Sequence, residues 1–212
     1  HTEMLEELGI KDDYLNASKT FIRVELSPTD GDVFSDIDTW KLNVDQDVMP
    51  EWYDEDIYKP QVVEAVKEWA KDHIHIGVDG LEIVTGRNHY IKDCKDVQIC
   101  NNATVECIRG SATVEYICDS ATVECICGSA TVECICGSAT VEYICGSATV
   151  ECIRGSATVE TVKGTAVIIG SEYGWNKKGT LILTENATFK DCQSKTIYQS
   201  GNWKLVSVTE EK

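Results

Sequence analysis

The 212-residue chain has no long hydrophobic run, few basic residues and none of the common catalytic motifs. No apolar stretch approaches the length that crosses a bilayer. A Gly-rich phosphate loop, a Gly-x-Ser-x-Gly elbow and a His-Glu-x-x-His pair are all absent from the sequence, so we expect no enzyme. No signal-peptide pattern is visible, and His1 in place of Met indicates that the original start has been removed.

Positive charge is scarce, with 19 basic residues against 36 acidic ones and a net charge of -17. The imbalance is concentrated in residues 1–100, which carry a net charge of -13, whereas residues 101–170 carry -5 and residues 171–212 carry +1. Binding to nucleic acid or anionic lipid depends on Lys and Arg that neutralise phosphates, so we expect neither as a direct partner. The preferred interpretation is that acidity keeps a repetitive protein soluble. The alternative is imitation of nucleic acid towards a basic partner.

A nine-residue repeat dominates the sequence. Seven blocks of the form Ala-Thr-Val-Glu-x-Ile-x-Gly-Ser run from Ala103 to Thr165. A strict short period indicates one structural unit stacked on copies of itself. Ala and Val are separated by one Thr, as in a strand, so we expect Ala, Val and Ile to line an interior while Ser, Thr and Glu face solvent. The Gly that precedes the last residue of the block favours a turn, and recurrent Gly-Ser pairs beside stiff Thr, Val and Ile disfavour a helix.

These features predict a mainly β protein, built as a two-sided parallel β-solenoid with two blocks, about 18 residues, in each coil. Strands of successive coils would stack about 4.8 Å apart. A left-handed, three-sided helix has coils of similar length but a six-residue period, which is absent here. With decayed copies on both sides, including residues 186–192, we expect about five coils in a short rod. The array is placed at residues 93–170, and residues 171–212 are interpreted as a degenerate repeat and C-terminal cap with a final strand at 203–208.

A small α+β capping domain is predicted for residues 21–92, after an N-terminal segment of residues 1–20. Covering the first coil would protect its unpaired backbone groups, which otherwise favour end-to-end growth. The predicted elements are strands at Phe21–Leu26, Thr39–Val44 and Leu81–Val84, and a helix from Gln61 to about His73 with Pro60 in its first turn.

Eleven cysteines require their own explanation. Most flank the block Ile: Cys107, Cys125, Cys134 and Cys152 precede it, Cys118, Cys127, Cys136 and Cys145 follow it, and Cys100 extends the set. Coils of 18 residues stack Cys107 on Cys125, Cys134 on Cys152, Cys118 on Cys136, and Cys127 on Cys145.

Three interpretations of these columns are open. Reduced thiols that fill space in a cytosolic protein are favoured, and vertical disulfides in a secreted protein come second. Metal binding by the pairs Cys125/Cys127 and Cys134/Cys136 comes third, because structural zinc sites usually have longer spacing. Tyr116 and Tyr143 occupy the same column as Cys, which argues against an obligatory role for sulfur. We therefore predict no metal and no cofactor.

The segment His73-Ile74-His75 is a second candidate metal pair, with Asp72 and Asp79 nearby. A solvated helix end, where basic side chains suit the C-terminal dipole, is the preferred interpretation.

The Ser-Ala-Thr-Val-Glu blocks between about Val97 and Ile169 resemble short-repeat (nonapeptide) β-solenoid proteins of gut bacteria and their phages. The resemblance covers about a third of the chain and implies architecture only. The Ser-x-Thr column is also similar to the Thr-x-Thr arrays of solenoid ice-binding proteins, but it uses Ser at one place and sets Glu beside Thr. Pentapeptide-repeat proteins that imitate DNA have a five-residue period, which is absent here.

We predict a non-catalytic scaffold or binding module that presents regular Ser/Thr/Glu faces to a protein partner, because flat, rigid faces need little ordering on binding. The alternatives are an acidic, nucleic-acid-mimicking inhibitor of a host protein that binds through Asp30 to Asp56, an ice-binding protein, and a filament former that self-associates through the solenoid ends. A cytoplasmic location is favoured over a secreted or virion-associated one. The candidate binding residues are Thr113, Glu115, Thr122, Glu124, Thr131, Glu133, Thr140, Glu142, Thr149 and Glu151.

Overall fold

The computed structural model describes residues 21–46, 49–175 and 181–201, apart from the side chains of residues 172–174. The predicted segments 1–20 and 203–208 lie outside the described residues. The chain divides into two compact units, His1–Lys71 and Asp72–Lys212.

The first unit combines a hairpin with a helix, as predicted. Strands β1 (Val24–Ser27) and β2 (Lys41–Val44) pair antiparallel, and a short 3-10 helix (Ile37–Thr39) lies in their connection. Both strands are shorter than expected. Trp40 is buried beside this sheet, where its ring N–H donates a hydrogen bond to the hydroxyl of Ser35.

Helix α1 (Glu55–His73) begins earlier than predicted, because Asp54 caps it. The Asp54 carboxylate accepts a hydrogen bond from the backbone N–H of Asp56 at 3.0 Å, and its carbonyl accepts from the next two N–H groups. Pro60 therefore lies inside the helix rather than in its first turn. Val63 and Ala70 of this helix are buried. None of the described helical residues form a segment long and apolar enough to cross a bilayer.

The second unit is a two-sided parallel β-solenoid of about six coils. Within the described residues, one sheet, here the odd sheet, has seven strands, and the other, the even sheet, has eight. The odd sheet contains β3 (Ile74–Ile76), β5 (His89–Lys92), β7 (Thr104–Arg109), β9 (Thr122–Ile126), β11 (Thr140–Ile144), β13 (Thr158–Val162) and β15 (Ile182–Leu183). The even sheet contains β4 (Glu82–Ile83), β6 (Val97–Ile99), β8 (Thr113–Ile117), β10 (Thr131–Ile135), β12 (Thr149–Gly155), β14 (Val167–Trp175), β16 (Thr188–Asp191) and β17 (Thr196–Gln199), which pairs antiparallel with β16.

Neighbouring strands within the perfect blocks stand 18 residues apart and in register. Thr122 pairs with Thr104 and Thr140 in the odd sheet, and Thr131 pairs with Thr113 and Thr149 in the even sheet. Two blocks therefore make one coil, as the period predicted.

The interior consists of the three invariant apolar positions of each block. Ala121, Val123 and Ile126 are all 0% exposed, and the same holds for the corresponding residues of almost every other block. Two outward residues in succession, such as Glu124 and Cys125, separate the buried Val from the buried Ile. Strict alternation stops there, so the position before Ile lies on the outer surface.

The solenoid begins before the predicted boundary at residue 93. Strands β3 and β5 pair parallel in the odd sheet, and β4 pairs with β6 in the even sheet, so the predicted strand at Leu81–Val84 belongs to the solenoid. Ile83 and Ile91 belong to the same hydrophobic core as the block residues, although the Ala-Thr-Val-Glu motif is absent from their local sequence. Apolar side chains at the inward positions are sufficient to extend the stack.

At the far end, the predicted decayed copy is confirmed. Thr188 pairs with Val167, and Ala187 and Phe189 are buried. Strand β14 continues to Trp175, past the predicted end of the array at residue 170. The Trp175 ring N–H donates to the carbonyl of Ala157 at 2.7 Å, and the ring packs edge-on against Phe189.

Candidate functional site

The ten predicted binding residues form two surfaces, because consecutive blocks alternate between the sheets. Each Thr and each Glu stacks above its counterpart 18 residues away, which produces a Thr ladder and a Glu ladder on each sheet. The odd sheet carries Thr122, Glu124, Thr140 and Glu142, and the even sheet carries Thr113, Glu115, Thr131, Glu133, Thr149 and Glu151.

The Glu ladder of the odd sheet places like charges side by side. The pKa of Glu106 is raised, first by a hydrogen bond with Glu124, then by burial and by the negative charges of Glu124 and Glu142. Carboxylates directly opposite one another on adjacent strands repel. A cation brought to this ladder would relieve that repulsion.

Thr113 and Glu115, the first residues of the even-sheet ladders, form hydrogen bonds with residues of the preceding coil. The side-chain amide of Gln98 donates to the Glu115 carboxylate at 2.7 Å, and the Asp96 backbone N–H donates to the Thr113 hydroxyl at 3.2 Å. These two predicted binding residues therefore contribute to the stack itself.

Serines of the block turns also hold the coils together. The backbone N–H and the hydroxyl of Ser111 both donate to the Asp93 carboxylate, and these bonds lower the Asp93 pKa. Ser129 donates from its hydroxyl to the carbonyl of Gly110 in the preceding coil, at 3.2 Å. The Ser positions of the predicted polar face thus have structural contacts, and the Thr and Glu ladders are its more available part.

The cysteine columns form a cluster of four thiols on the odd sheet, which we name the thiol tetrad: Cys107, Cys125, Cys127 and Cys145. The Cys125 and Cys145 sulfurs are 3.8 Å apart, and together with Cys127 their sulfurs lie within 4.8 Å of one another. Cys107 adjoins this group, because it is in register with Cys125 on the neighbouring strand. All four side chains are half-buried, and each is a free thiol.

The pKa values of the tetrad thiols are shifted in opposite directions. Hydrogen bonds from Cys107 and Cys125 lower the pKa of the Cys127 thiol, and the positive charge of Arg109 lowers it further. The same hydrogen bonds, followed by burial, raise the pKa of Cys107 and of Cys125, which keep their protons. Cys127 is therefore the member of the tetrad that loses its proton most readily.

The even sheet holds its cysteines differently. The Cys118 and Cys100 sulfurs approach to 2.7 Å, with an Asp119 carboxylate oxygen 3.8 Å from Cys118. Burial, followed by Cys100, raises the pKa of Cys118 to about 12, and burial raises the pKa of Cys134 to about 12.

The 18-residue period predicts the cysteine columns but not all of the contacts between them. Cys107 does stack on Cys125 in the backbone register. The Cys100–Cys118 contact joins residues 18 apart in one column, although the predicted pairing placed Cys118 on Cys136. The Cys125–Cys145 contact joins residues 20 apart, which the period does not predict. The second contact is diagonal, from one column to the other, and follows from the two successive outward positions in each strand.

A histidine cluster occupies the start of the odd sheet. The ring nitrogens of His75 and His89 are 3.4 Å apart, the rings of His73 and His89 stack at 5.2 Å, and the other His89 nitrogen hydrogen-bonds to the Thr85 carbonyl. Burial is the main cause that lowers the pKa of both His75 and His89. His89 comes from the next coil, which the sequence did not reveal. Asp79 lies elsewhere, in a backbone bridge with Lys95.

Fold and surfaces together define a β-solenoid repeat protein with acidic and thiol-bearing faces. Comparisons of the chain with protein-family models, with curated proteins and with solved structures give no significant match.

Proposed function

We propose that the protein is a non-catalytic binding module whose Thr and Glu ladders recognise a basic surface of a protein partner. The observation that carries the proposal is the in-register Glu ladder of the odd sheet, where Glu106, Glu124 and Glu142 stand close enough to raise the pKa of the first. Stacked carboxylates are a costly arrangement that regularly spaced Lys or Arg side chains would make favourable.

Rigidity supports the same proposal. Each ladder is attached to strands whose inward residues are fully buried, so the outward side chains keep a fixed spacing set by the coils. A surface that is already ordered loses little conformational entropy on binding. A cytoplasmic location is part of this proposal, because a chain with so many unpaired thiols suits a reducing compartment.

The experiment compares capture of partners by three versions of the full chain. The ladder variant is Glu124→Gln/Glu142→Gln, and the matched control is Glu51→Gln/Glu55→Gln, which removes the same charge from the region that a mimic of nucleic acid would use. Captured proteins are quantified by mass spectrometry over a series of salt concentrations.

We expect a basic protein that the wild type and the control retain and that the ladder variant releases at lower salt. Loss of capture with the control variant alone would favour the alternative that the protein mimics nucleic acid. Equal capture by all three versions would contradict both.

Ice binding and filament formation have separate readouts. Ice binding predicts thermal hysteresis that disappears when an outward Thr such as Thr131 is replaced by a bulky residue. Filament formation predicts rods in electron micrographs of the purified chain. Either result, without a salt-sensitive partner, would overturn the binding-module proposal.

A further inference from the structure

In each of the two columns that contain the thiol tetrad, the cysteines are flanked above and below by other residue types. In the column before the block Ile, Tyr90 pairs with Cys107 and Tyr143 pairs with Cys125, so two cysteines lie between two tyrosines. In the column after it, Cys127 and Cys145 lie between Arg109 and Lys163. The blocks therefore supply a closed group of four sulfurs on this sheet rather than an open ladder.

Distances within the tetrad match a tetrahedral metal site. With a zinc–sulfur bond of about 2.3 Å, two sulfurs of a tetrahedral site are about 3.8 Å apart. The Cys125 and Cys145 sulfurs have that separation, 3.8 Å, and Cys127 lies within 4.8 Å of both. The fourth cysteine, Cys107, is in register with Cys125 on the neighbouring strand, which places it beside this group of three sulfurs.

Charge around the tetrad also fits a bound cation. Four thiolates around a divalent ion carry a net charge of -2, and the tetrad column ends in two cationic side chains, Arg109 and Lys163. The charge of Arg109 acts on the Cys127 sulfur and that of Lys163 on the Cys145 sulfur. The Lys163 ammonium lies 5.5 Å from the centre of the Tyr143 ring, which places it beside the tetrad.

We propose that Cys107, Cys125, Cys127 and Cys145 form a tetrathiolate site for a soft d10 cation of the zinc and cadmium class. Thiolate is the ligand type that such ions prefer. Binding displaces the remaining thiol protons to solvent, because metal-bound cysteines are deprotonated. The site joins three successive coils, so the bound ion also links β7, β9 and β11.

The cysteines of the even sheet lack this arrangement. Cys100 and Cys118 are grouped with the Asp119 carboxylate instead of further sulfurs, and their column has a single cation, Arg154, beside Cys136. They therefore provide a matched control on the same scaffold.

The experiment titrates the reduced full chain with cobalt(II), whose tetrahedral tetrathiolate complexes give intense visible absorption, and then displaces cobalt with zinc. The test variant is Cys125→Thr, since Thr161 occupies the same column and shows that the fold accepts it. The control is Cys152→Thr, the same change at the same block position on the even sheet. Circular dichroism verifies that both variants fold.

We expect the wild type and Cys152→Thr to show the tetrathiolate spectrum, with one ion bound at the tetrad. Cys125→Thr should bind zinc more than about 100-fold more weakly, because loss of a residue that only supports a ligand already costs about 10- to 100-fold in metal affinity. Arg109→Gln/Lys163→Gln should keep the spectrum and weaken binding by about 10-fold. No tetrathiolate spectrum in the wild type, or one that survives in Cys125→Thr, would overturn the proposal.

A second measurement needs no variant. Zinc-loaded and metal-free chains are alkylated and each cysteine is quantified by mass spectrometry. Selective protection of the four tetrad cysteines, with Cys136, Cys152 and the exposed Cys192 still reactive, supports the site. Uniform protection, or none, contradicts it.

Discussion

The odd and even sheets are built from the same nine-residue block, but they differ at the two positions that flank the block Ile. Inside the solenoid the sheets are alike, with Ala, Val and Ile fully buried on both. Outside, the odd sheet groups the sulfurs of Cys125, Cys127 and Cys145 between two cationic positions, whereas the even sheet pairs Cys118 with Cys100 and Asp119. The interior therefore sets the fold, and the outward positions are where the two faces acquire different chemistry.

The largest expected effect tests the similarity of the two interiors. Ile126→Ala in the odd sheet and Ile135→Ala in the even sheet should each lower the free energy of unfolding by about 2–5 kcal/mol, because both side chains are fully buried. Chemical denaturation of the two variants measures this directly. Thr122→Ala, at an outward position, should stay within about 0.5 kcal/mol of the wild type. Markedly unequal effects of the two Ile substitutions would break the equivalence of the sheets.

The turns at Gly128 and Gly155 should differ in their tolerance of a side chain. A Cβ at Gly128 would lie 2.9 Å from backbone atoms of Gly110, whereas one at Gly155 would lie 3.3 Å from the Gly137 carbonyl. Both glycines have positive φ, so Ala costs about 1–2 kcal/mol at either position. Gly128→Ala should cost a further 1–3 kcal/mol, roughly, from the backbone clash. Thermal denaturation showing equal losses would contradict this difference.

Acid should affect the first coils of the odd sheet more than those of the even sheet. The folded-state pKa values of His75 and His89 lie below the ordinary value of 6.5, so the unfolded chain binds more protons as the pH falls below 6.5. Stability of this region is full above pH 6.5 and decreases as the pH falls through the lowered values.

Hydrogen exchange at neutral and acidic pH checks this expectation. Amides of β5 should lose protection in acid more than those of β6, and His89→Gln should reduce the difference. Equal loss in the two strands would contradict a role for the histidine cluster.

Much of the fold follows from the sequence because the inward positions are apolar in every block, with Val162 as the one replacement of the block Ile. Ala121, Val123 and Ile126 define a buried face, and their period gives the two-block coil. The repeat pattern does not predict the early coils, because Ile83 and Ile91 occupy inward positions within a local sequence that differs from the block. Packing at the inward positions requires only apolar side chains of suitable size. The extent of the recognisable blocks therefore underestimates the number of coils in the solenoid.

The candidate site was less predictable, since it depends on side-chain directions. The stacking of Cys107 on Cys125 follows from the 18-residue period. The diagonal approach of Cys125 to Cys145 follows from the two successive outward positions, Glu124 and Cys125, which periodicity does not reveal. His89 joined the histidine cluster for a related reason, because its coil had no recognisable block.

The most direct test of the account is whether residues 18 apart are neighbours on one face while residues 9 apart lie on opposite faces. Charge-reversal double-mutant cycles at low salt measure this for Glu124→Lys with Glu142→Lys, and for Glu124→Lys with Glu133→Lys. The stacked pair should show a coupling free energy on the order of 1 kcal/mol, and the pair on opposite sheets should be additive within about 0.3–0.5 kcal/mol. Additivity of Glu124 with Glu142, or equal coupling in both pairs, would contradict the two-block coil and the polar ladders that depend on it.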